Sequence, residues 1–219
     1  MKIPYRICWW LLRFFFLVYF RWRVVGADRI PEVGAVILAS NHASYLDPPL
    51  IGSAASREFY YLARKSLFRF PVMGRVLRAM NALPVDRAGR SPKGLKAILD
   101  CLASGEPVVL FPEGTRTNDG EFQAARSGVG LATVKSGAPV IPVRIYGSYQ
   151  AYNRRMWLPL PRQVTVVFGQ PLRFDAEIAE IQTSSKQQIR ELYAKVADKI
   201  MKGIAALEID GSSTVSGQS

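Results

Sequence analysis

The stretch SNHASYLDP, residues 40–48, holds the single histidine of the chain, His42, and an aspartate five residues later, Asp47. A carboxylate that bonds one imidazole nitrogen fixes the tautomer of the ring and makes the other nitrogen a better base. The pair could therefore deprotonate a hydroxyl. Alternatively, Asp47 precedes Pro48, which fits the first position of a helix, so Asp47 is also a natural N-cap and His42 a solvated turn residue.

A second stretch, FPEGTR (111–116), follows an apolar run that is typical of a strand. It offers a carboxylate on Glu113, backbone N–H groups near Gly114, a hydroxyl on Thr115 and a guanidinium on Arg116. This set suits a phosphate with a neighbouring hydroxyl, because guanidinium and turn N–H groups bind anions. The alternative is a surface turn whose Glu–Arg pair contributes little.

The composition limits the classes of protein to consider. The chain has 219 residues, enough for one domain, and a formal net charge of +12. Such a surface favours anionic partners: phosphate groups, acidic lipids, acidic proteins or nucleic acid. Two cysteines and one histidine are too few for a disulfide framework or for a zinc or haem site, so we predict no metal and no bound cofactor.

The first residues differ from the rest of the chain. Residues 5–26 include no acid, and from Ile7 to Phe20 every residue except Arg13 is apolar or aromatic. A helix of that length measures about 21 Å, less than the ~30 Å hydrocarbon core of a bilayer. Because tryptophan and tyrosine suit the headgroup boundary, we predict that residues 1–26 form a helix lying in the membrane interface. A spanning helix and a buried core helix are the alternatives.

Beyond residue 26, apolar runs alternate with helical patterns, which is typical of an α/β domain. Pro142 lies inside one apolar run and indicates an edge strand or a bulge. We predict a single domain (27–210) with a mostly parallel or mixed central sheet flanked by helices, followed by a small, polar, disordered tail (211–219). Strands are predicted at 35–39, 59–63, 82–86, 107–111, 139–146 and 164–168, and helices at 92–104, 123–136 and 184–207.

Taken together and in this order, four stretches resemble the sequence blocks of the 1-acylglycerol-3-phosphate acyltransferase family. NHASYLD matches the N-H-x4-D block of that family, ALPVDR (82–87) its second block, FPEGTR its third and PVIPV (139–143) its fourth. The resemblance covers about residues 30–170. The chain departs from the pattern at Asn81, where the second block usually has glycine, and asparagine tolerates the left-handed backbone angles that glycine adopts.

The resemblance implies that a fatty acyl group moves from a thioester, either acyl-CoA or acyl-acyl carrier protein, to the free sn-2 hydroxyl of 1-acylglycerol-3-phosphate, making phosphatidic acid. His42 would be the general base, and Asp47 would orient it and stabilise the imidazolium. Arg87, with residues 113–116, would hold the phosphate and glycerol of the acceptor. No serine or cysteine nucleophile is expected beside the pair, so the hydroxyl would attack the thioester directly.

The expected partners are membrane phospholipids, lysophosphatidate and, if it is the donor, acyl carrier protein, but not nucleic acid. Segment 57–96 has ten basic and two acidic residues, which suits anionic lipid headgroups, and we expect the protein at the cytoplasmic face of the cell membrane. One alternative is an enzyme of the same family that acylates glycerol-3-phosphate, another lysophospholipid or a lyso-aminolipid. The other is a non-catalytic basic module that binds membrane or nucleic acid, although no nucleic-acid-binding signature is readable.

Overall fold

The computed structural model describes residues 2–86 and 92–209, so Arg87 and the predicted tail, 211–219, lie outside the described residues. The strands are β1 (Arg23–Val25), β2 (Ile37–Ser40), β3 (Tyr60–Arg64), β4 (Ala82–Val85), β5 (Val108–Leu110), β6 (Val140–Tyr146) and β7 (Thr165–Phe168). The helices are α1 (Ile3–Phe20), α2 (Asp47–Ala54), α3 (Pro71–Ala79), α4 (Pro92–Ala103), α5 (Ser127–Ser136), α6 (Ser148–Ala151), α7 (Asp175–Glu180) and α8 (Lys186–Ala205). Short 3₁₀ segments are Ala27–Arg29, Lys65–Arg69 and Ile181–Thr183.

The strands form one mixed sheet in the order β1-β7-β6-β2-β5-β3-β4. The five strands from β6 to β4 run parallel, β7 is antiparallel to β6, and β1 is parallel to β7. The predicted α/β domain with a mostly parallel, mixed sheet is confirmed. Ala39 of β2 lies beside Leu110 of β5, so the segments that follow these two strands begin as neighbours at the carboxyl edge of the sheet.

The sheet is covered by helices on both faces. Successive side chains of a strand point to opposite faces, so Leu38 and Ile141 pack with α1 and α2, whereas Ile37 and Val140 pack with α4, α5 and α8. All four side chains are fully buried. This explains why the central strands read as continuous apolar runs rather than as alternating patterns.

The N-terminal segment is shorter as a helix than predicted. Residues 1–26 were expected to form one helix, but α1 ends at Phe20, and Arg21 takes the left-handed conformation with φ 45°. The three residues of β1 then pair with β7 at the edge of the sheet. Residues 1–26 therefore contain two elements, a helix and a short strand. Val24 and Val25 are β-branched and suit a strand better than a helix.

One side of α1 belongs to the core, and the opposite side is uncovered. Tyr5, Phe16 and Phe20 are buried against the sheet and α2. Arg13 also turns inward, where Nη1 donates to the carbonyl oxygen of Ser53 at 3.0 Å. By length and composition, α1 is the one described helix that could cross a membrane. Large apolar side chains are exposed along its outer side: Ile3, Ile7, Trp10, Leu11, Phe14, Leu17 and Val18.

Pro142 was predicted to mark an edge strand or a bulge, and the edge assignment is wrong because β6 lies between β7 and β2. The register of the antiparallel pairing between β6 and its partner segment changes beside Pro142. Val143 pairs with Phe168, whereas Val140 pairs with Leu172, so the partner segment has one extra residue over this interval. The interruption is where proline, which has no N–H to donate, costs the sheet least.

The remaining predictions agree with the structure within a few residues. The six predicted strands are present, and the three predicted helices correspond to α4, α5 and α8. Helix α5 begins at Ser127, four residues later than predicted, because the residues before it belong to a loop beside the candidate site. Asn81 has φ 58°, so it occupies the left-handed conformation expected of a glycine substitute.

The close approach of α5 and α8 yields a stability prediction. A Cβ atom added at Gly130 would lie 2.0 Å from the carbonyl oxygen of Tyr193, whereas one added at Gly128 would meet nothing within 4 Å. Gly130→Ala should lower the free energy of unfolding by about 1–3 kcal/mol, because overpacking forces the helices apart. Gly128→Ala should leave it unchanged or raise it by up to about 1 kcal/mol. Equal thermal midpoints for the two variants would contradict this packing.

Candidate active site

The turn between β2 and α2 brings His42 and Asp47 together. Nδ1 of His42 lies 2.9 Å from Oδ2 of Asp47. The same oxygen accepts the backbone N–H groups of Ala43 and Ser44, each at 2.7 Å. Because Oδ2 is an acceptor for all three groups, Nδ1 carries the proton and Nε2, which no described residue binds, is left as the basic nitrogen.

Asp47 does not act as the helix N-cap that the sequence suggests. It is the first residue of α2, and its carboxylate accepts N–H groups from the preceding turn rather than from the helix. The side chain is fully buried, and Oδ1 has no hydrogen-bond partner among the described residues. Its role is therefore to hold the turn and the imidazole, and Pro48 lies at the start of the helix as expected.

The imidazole of His42 is supported from one side and open on another. Its ring stacks on Phe111, with centroids 4.0 Å apart and planes inclined by 21°. The side chain is 17% exposed, so the ring is not closed off from solvent. Phe111 is the first residue of FPEGTR, and its contribution to the site could not be inferred from the sequence, because stacking depends on the pairing of β2 with β5.

The backbone of His42 is fixed by the loop that follows β5. Its N–H donates to Oε1 of Glu113 at 2.9 Å, and its carbonyl oxygen accepts the N–H of Thr117 at 2.9 Å. On the other side, the side-chain amide of Asn41 bonds both the N–H and the carbonyl of Ile145 in β6, at 2.8 and 3.1 Å. The turn is therefore attached to both strands that flank β2.

Glu113 is buried, and both of its oxygens have partners. Oε1 accepts the N–H of His42, and Oε2 accepts the N–H of Gln123 at 3.3 Å. Burial raises the pKa of the Glu113 carboxyl from 4.5 to about 7, with a smaller rise from nearby Asp47, while the two N–H donors oppose the change. The carboxylate thus connects the two loops of the site.

The other residues of FPEGTR form a tight turn with an aromatic support. Gly114 has φ 69°, and an added Cβ would lie 2.7 Å from the side chain of Arg126, so the position requires glycine. Thr115 is exposed. The guanidinium of Arg116 lies 3.4 Å from the ring centroid of Tyr45, and its buried Nη1 has no hydrogen-bond partner among the described residues. Such a cation is well placed to bind an anion.

The structure brings together six of the seven residues predicted for the site: His42, Asp47, Glu113, Gly114, Thr115 and Arg116. The seventh, Arg87, lies outside the described residues. The contributions of Tyr45 and Thr117 could not be predicted from the sequence, because they depend on loop geometry. Among residues 2–86 and 92–209, no group of histidine, cysteine or acidic side chains is arranged to bind a metal.

The chain is similar to a known protein family and to several named proteins. A model of the family described as Acyltransferase matches residues 21–146. The chain is 27% identical over 184 residues to the 1-acyl-sn-glycerol-3-phosphate acyltransferase of Bacillus subtilis, with 80% of this chain and 89% of the relative covered. It is 28% identical over 202 residues to the protein of the same name from Pseudomonas aeruginosa, with 88% and 76% covered.

A solved structure has a similar fold. The crystal structure of the 1-acyl-sn-glycerophosphate acyltransferase PlsC from Thermotoga maritima superimposes with a TM-score of 0.67. The two chains are 25% identical, and the match covers 93% of this chain and 82% of that one. The agreement therefore includes the sheet and both helical layers.

Burial of Glu113 leads to a prediction about pH. A carboxyl with a raised pKa binds its proton more tightly in the folded state, so its contribution to stability is lost as pH rises from about 4.5 to about 7. Glu113→Gln keeps the size and one oxygen acceptor but removes this titration. Compared with the variant, the unmodified protein should lose on the order of 3 kcal/mol of unfolding free energy across that interval.

Urea unfolding at a series of pH values measures this difference. Glu121→Gln, which removes an exposed carboxylate from the same loop, is the control for the loss of one charge. A constant difference between the unmodified protein and Glu113→Gln at all pH values would contradict the raised pKa.

Proposed function

Because the chain belongs to the Acyltransferase family, as the four sequence blocks predict, we propose that it acylates the sn-2 hydroxyl of 1-acylglycerol-3-phosphate. The donor in this proposal is an acyl thioester, either acyl-CoA or acyl-acyl carrier protein, and the product is phosphatidic acid. The observation that carries the proposal is the His42–Asp47 pair, held within hydrogen-bonding distance of the FPEGTR loop. The names of the relatives support the acceptor.

In the proposed mechanism, Nε2 of His42 takes the proton of the acceptor hydroxyl as its oxygen attacks the thioester carbonyl. The new C–O bond forms a tetrahedral intermediate, whose C–S bond then breaks. The imidazolium returns its proton to the leaving thiolate, so the enzyme is regenerated. The buried carboxylate of Asp47 stabilises the imidazolium between these two transfers.

Direct attack is supported by the environment of Ser44, the serine that lies between His42 and Asp47 in the sequence. Its Oγ donates to the carbonyl of Tyr152 at 2.5 Å and accepts the N–H of Leu46 at 3.0 Å. The side chain is fully buried. A hydroxyl with these partners holds the turn and does not serve as a nucleophile for an acyl-enzyme.

Recognition of the acceptor phosphate is assigned to Arg116, with Thr115 beside it. The ring of Tyr45 packs against the Arg116 guanidinium. No described carboxylate forms an ion pair with Arg116. Gly114 supplies the turn. Glu113 was expected to contact the acceptor, but both its oxygens are occupied, so we assign it to positioning the His42 turn. A phosphate contact from Arg87 stays a prediction.

Membrane contact through α1 is also part of the proposal. Its outer side exposes a stripe of apolar side chains, and a helix with this pattern is stable against lipid. Since both acyl chains are insoluble in water, the site should act at a membrane surface. The net charge of +12 favours the anionic leaflet, which is the cytoplasmic face of the cell membrane.

The general base is tested by His42→Ala. Acyl transfer to lysophosphatidate should fall on the order of 10²–10⁴-fold, because the hydroxyl loses its proton acceptor. Thermal unfolding should show that the variant still folds, since Oδ2 of Asp47 keeps the backbone N–H donors of Ala43 and Ser44. Turnover close to that of the unmodified protein would exclude this mechanism.

The phosphate contact is tested by Arg116→Gln with two acceptors, lysophosphatidate and the same lipid without its phosphate. The KM for lysophosphatidate should rise about 10- to 100-fold, the value of one charged hydrogen-bonded contact. The weak transfer to the phosphate-free lipid should not change. Lys135→Gln, which removes an exposed charge from the last turn of α5, is the matched control.

Equal losses with both acceptors would contradict a phosphate role for Arg116. The same assay with glycerol-3-phosphate and other lysophospholipids decides between the proposed acceptor and others used in this family.

A further inference from the structure

We propose that two segments beside α1 also bind the bilayer, and that they turn the carboxyl edge of the sheet, with His42, towards an anionic lipid surface. The first flank is the 3₁₀ segment Lys65–Arg69 together with α3, and the second flank is the loop 157–160. The partner is a bilayer that contains anionic phospholipids. This inference rests on the proposed membrane contact of α1, but it concerns binding and does not depend on acyl transfer.

The first flank is poorly covered by the rest of the protein. Gly74 is the single buried residue of α3. Val72 is 73% exposed, and Met73 and Val76 are exposed beside it. At 100° per residue these three side chains share one arc of the helix, and Phe70, just before the helix, is exposed as well. An uncovered apolar arc of this kind is typical of a helix lying in a lipid interface.

The charges of the first flank identify the kind of surface that it fits. Between residues 59 and 85 there are five basic residues and no acid. At 100° per residue Arg75 lies at the border of the apolar arc, about 60° from Val72, and Arg78 lies on the other side of α3. Both arginines are exposed, so their long side chains can reach headgroups while the arc enters the acyl region. Anionic headgroups therefore complement this flank better than neutral ones. The five basic residues are all exposed: Arg64, Lys65, Arg69, Arg75 and Arg78.

The second flank lies beside the C-terminal end of α1. Trp157 is 88% exposed, and Leu158 and Leu160 are exposed with it. The hydroxyl of Tyr19 donates to the carbonyl of Pro159 at 2.9 Å, which attaches the loop to the last turn of α1. Tryptophan suits the headgroup boundary, so this loop extends the apolar stripe of α1 towards the site.

Both flanks begin at the same edge of the sheet as His42. The first follows directly after the end of β3, and the second lies between the end of β6 and the start of β7. Tyr146 pairs with Thr165, which places that connection at the carboxyl edge. Binding of both flanks to a bilayer would therefore bring this edge, and His42 with it, towards the lipid surface.

The experiment measures binding of the full chain to vesicles of phosphatidylcholine, alone or mixed with phosphatidylglycerol, without an acyl donor. Val72→Glu/Val76→Glu and Trp157→Glu/Leu158→Glu should each lower the partition coefficient at least about tenfold, because buried apolar area is lost. Arg75→Gln/Arg78→Gln should lower it about tenfold on mixed vesicles and leave neutral vesicles unaffected.

Two further variants serve as references for normal binding and for reduced binding. Val33 is 83% exposed and precedes β2, at the opposite edge of the sheet, so Val33→Glu is the matched control and should bind normally. Leu11→Glu/Phe14→Glu on α1 gives the loss caused by a known apolar stripe. If both flank variants bind like Val33→Glu while the α1 variant loses binding, α1 is the sole contact and the inference is wrong. Thermal unfolding checks that each variant is folded.

Discussion

The buried carboxylate of Asp47 is the constraint on which the rest of the site depends. A buried charge is stable only when donors surround it, and here two of the donors are backbone N–H groups of the preceding turn. When the turn closes to supply Ala43 and Ser44, it also carries the ring of His42 to the same oxygen. The orientation of the histidine is thus a consequence of stabilising the aspartate.

The order of strands gives this turn its second support. Strands β2 and β5 are parallel neighbours, so the loops that follow them emerge side by side. Glu113 uses this proximity to bind the N–H of His42, while Phe111 stacks on the ring. Burial of Glu113 is unfavourable, as its raised pKa indicates, yet its contact holds the backbone of His42 in place. A site positioned in advance requires little reorganisation during reaction.

The sequence predicts the elements well, because most are determined by local patterns. Six strands and three helices follow from apolar runs and helical periodicity, whereas β1 was missed because it lies within residues 1–26, which were predicted as one helix. The interior position of Pro142 depends on long-range pairing with β2 and β7, which no local pattern encodes. The arrangement of the site is likewise determined by contacts that no local pattern encodes. The sequence identifies His42 and Asp47, but whether Asp47 faces the turn or the helix depends on the folded backbone.

In helix α1, tertiary contacts determine whether the charge of Arg13 faces lipid or the protein. In the sequence, Arg13 is a charge in the middle of an apolar run and counts against a helix that spans the membrane. In the structure its guanidinium faces the protein, between Trp9, Trp22 and the carbonyl of Ser53. Lipid on the outer side of α1 would therefore not have to accommodate that charge.

The contacts of α1 also bear on how it would meet a membrane. Tyr5 near one end and Phe20 at the other are both buried against the domain. If α1 crossed the bilayer, these contacts would have to be broken or part of the polar domain would enter the hydrocarbon, and both are costly. A helix lying in the interface keeps its inner side on the sheet and offers its outer side to lipid. The packing of α1 thus favours the interfacial form of the proposal over a spanning one.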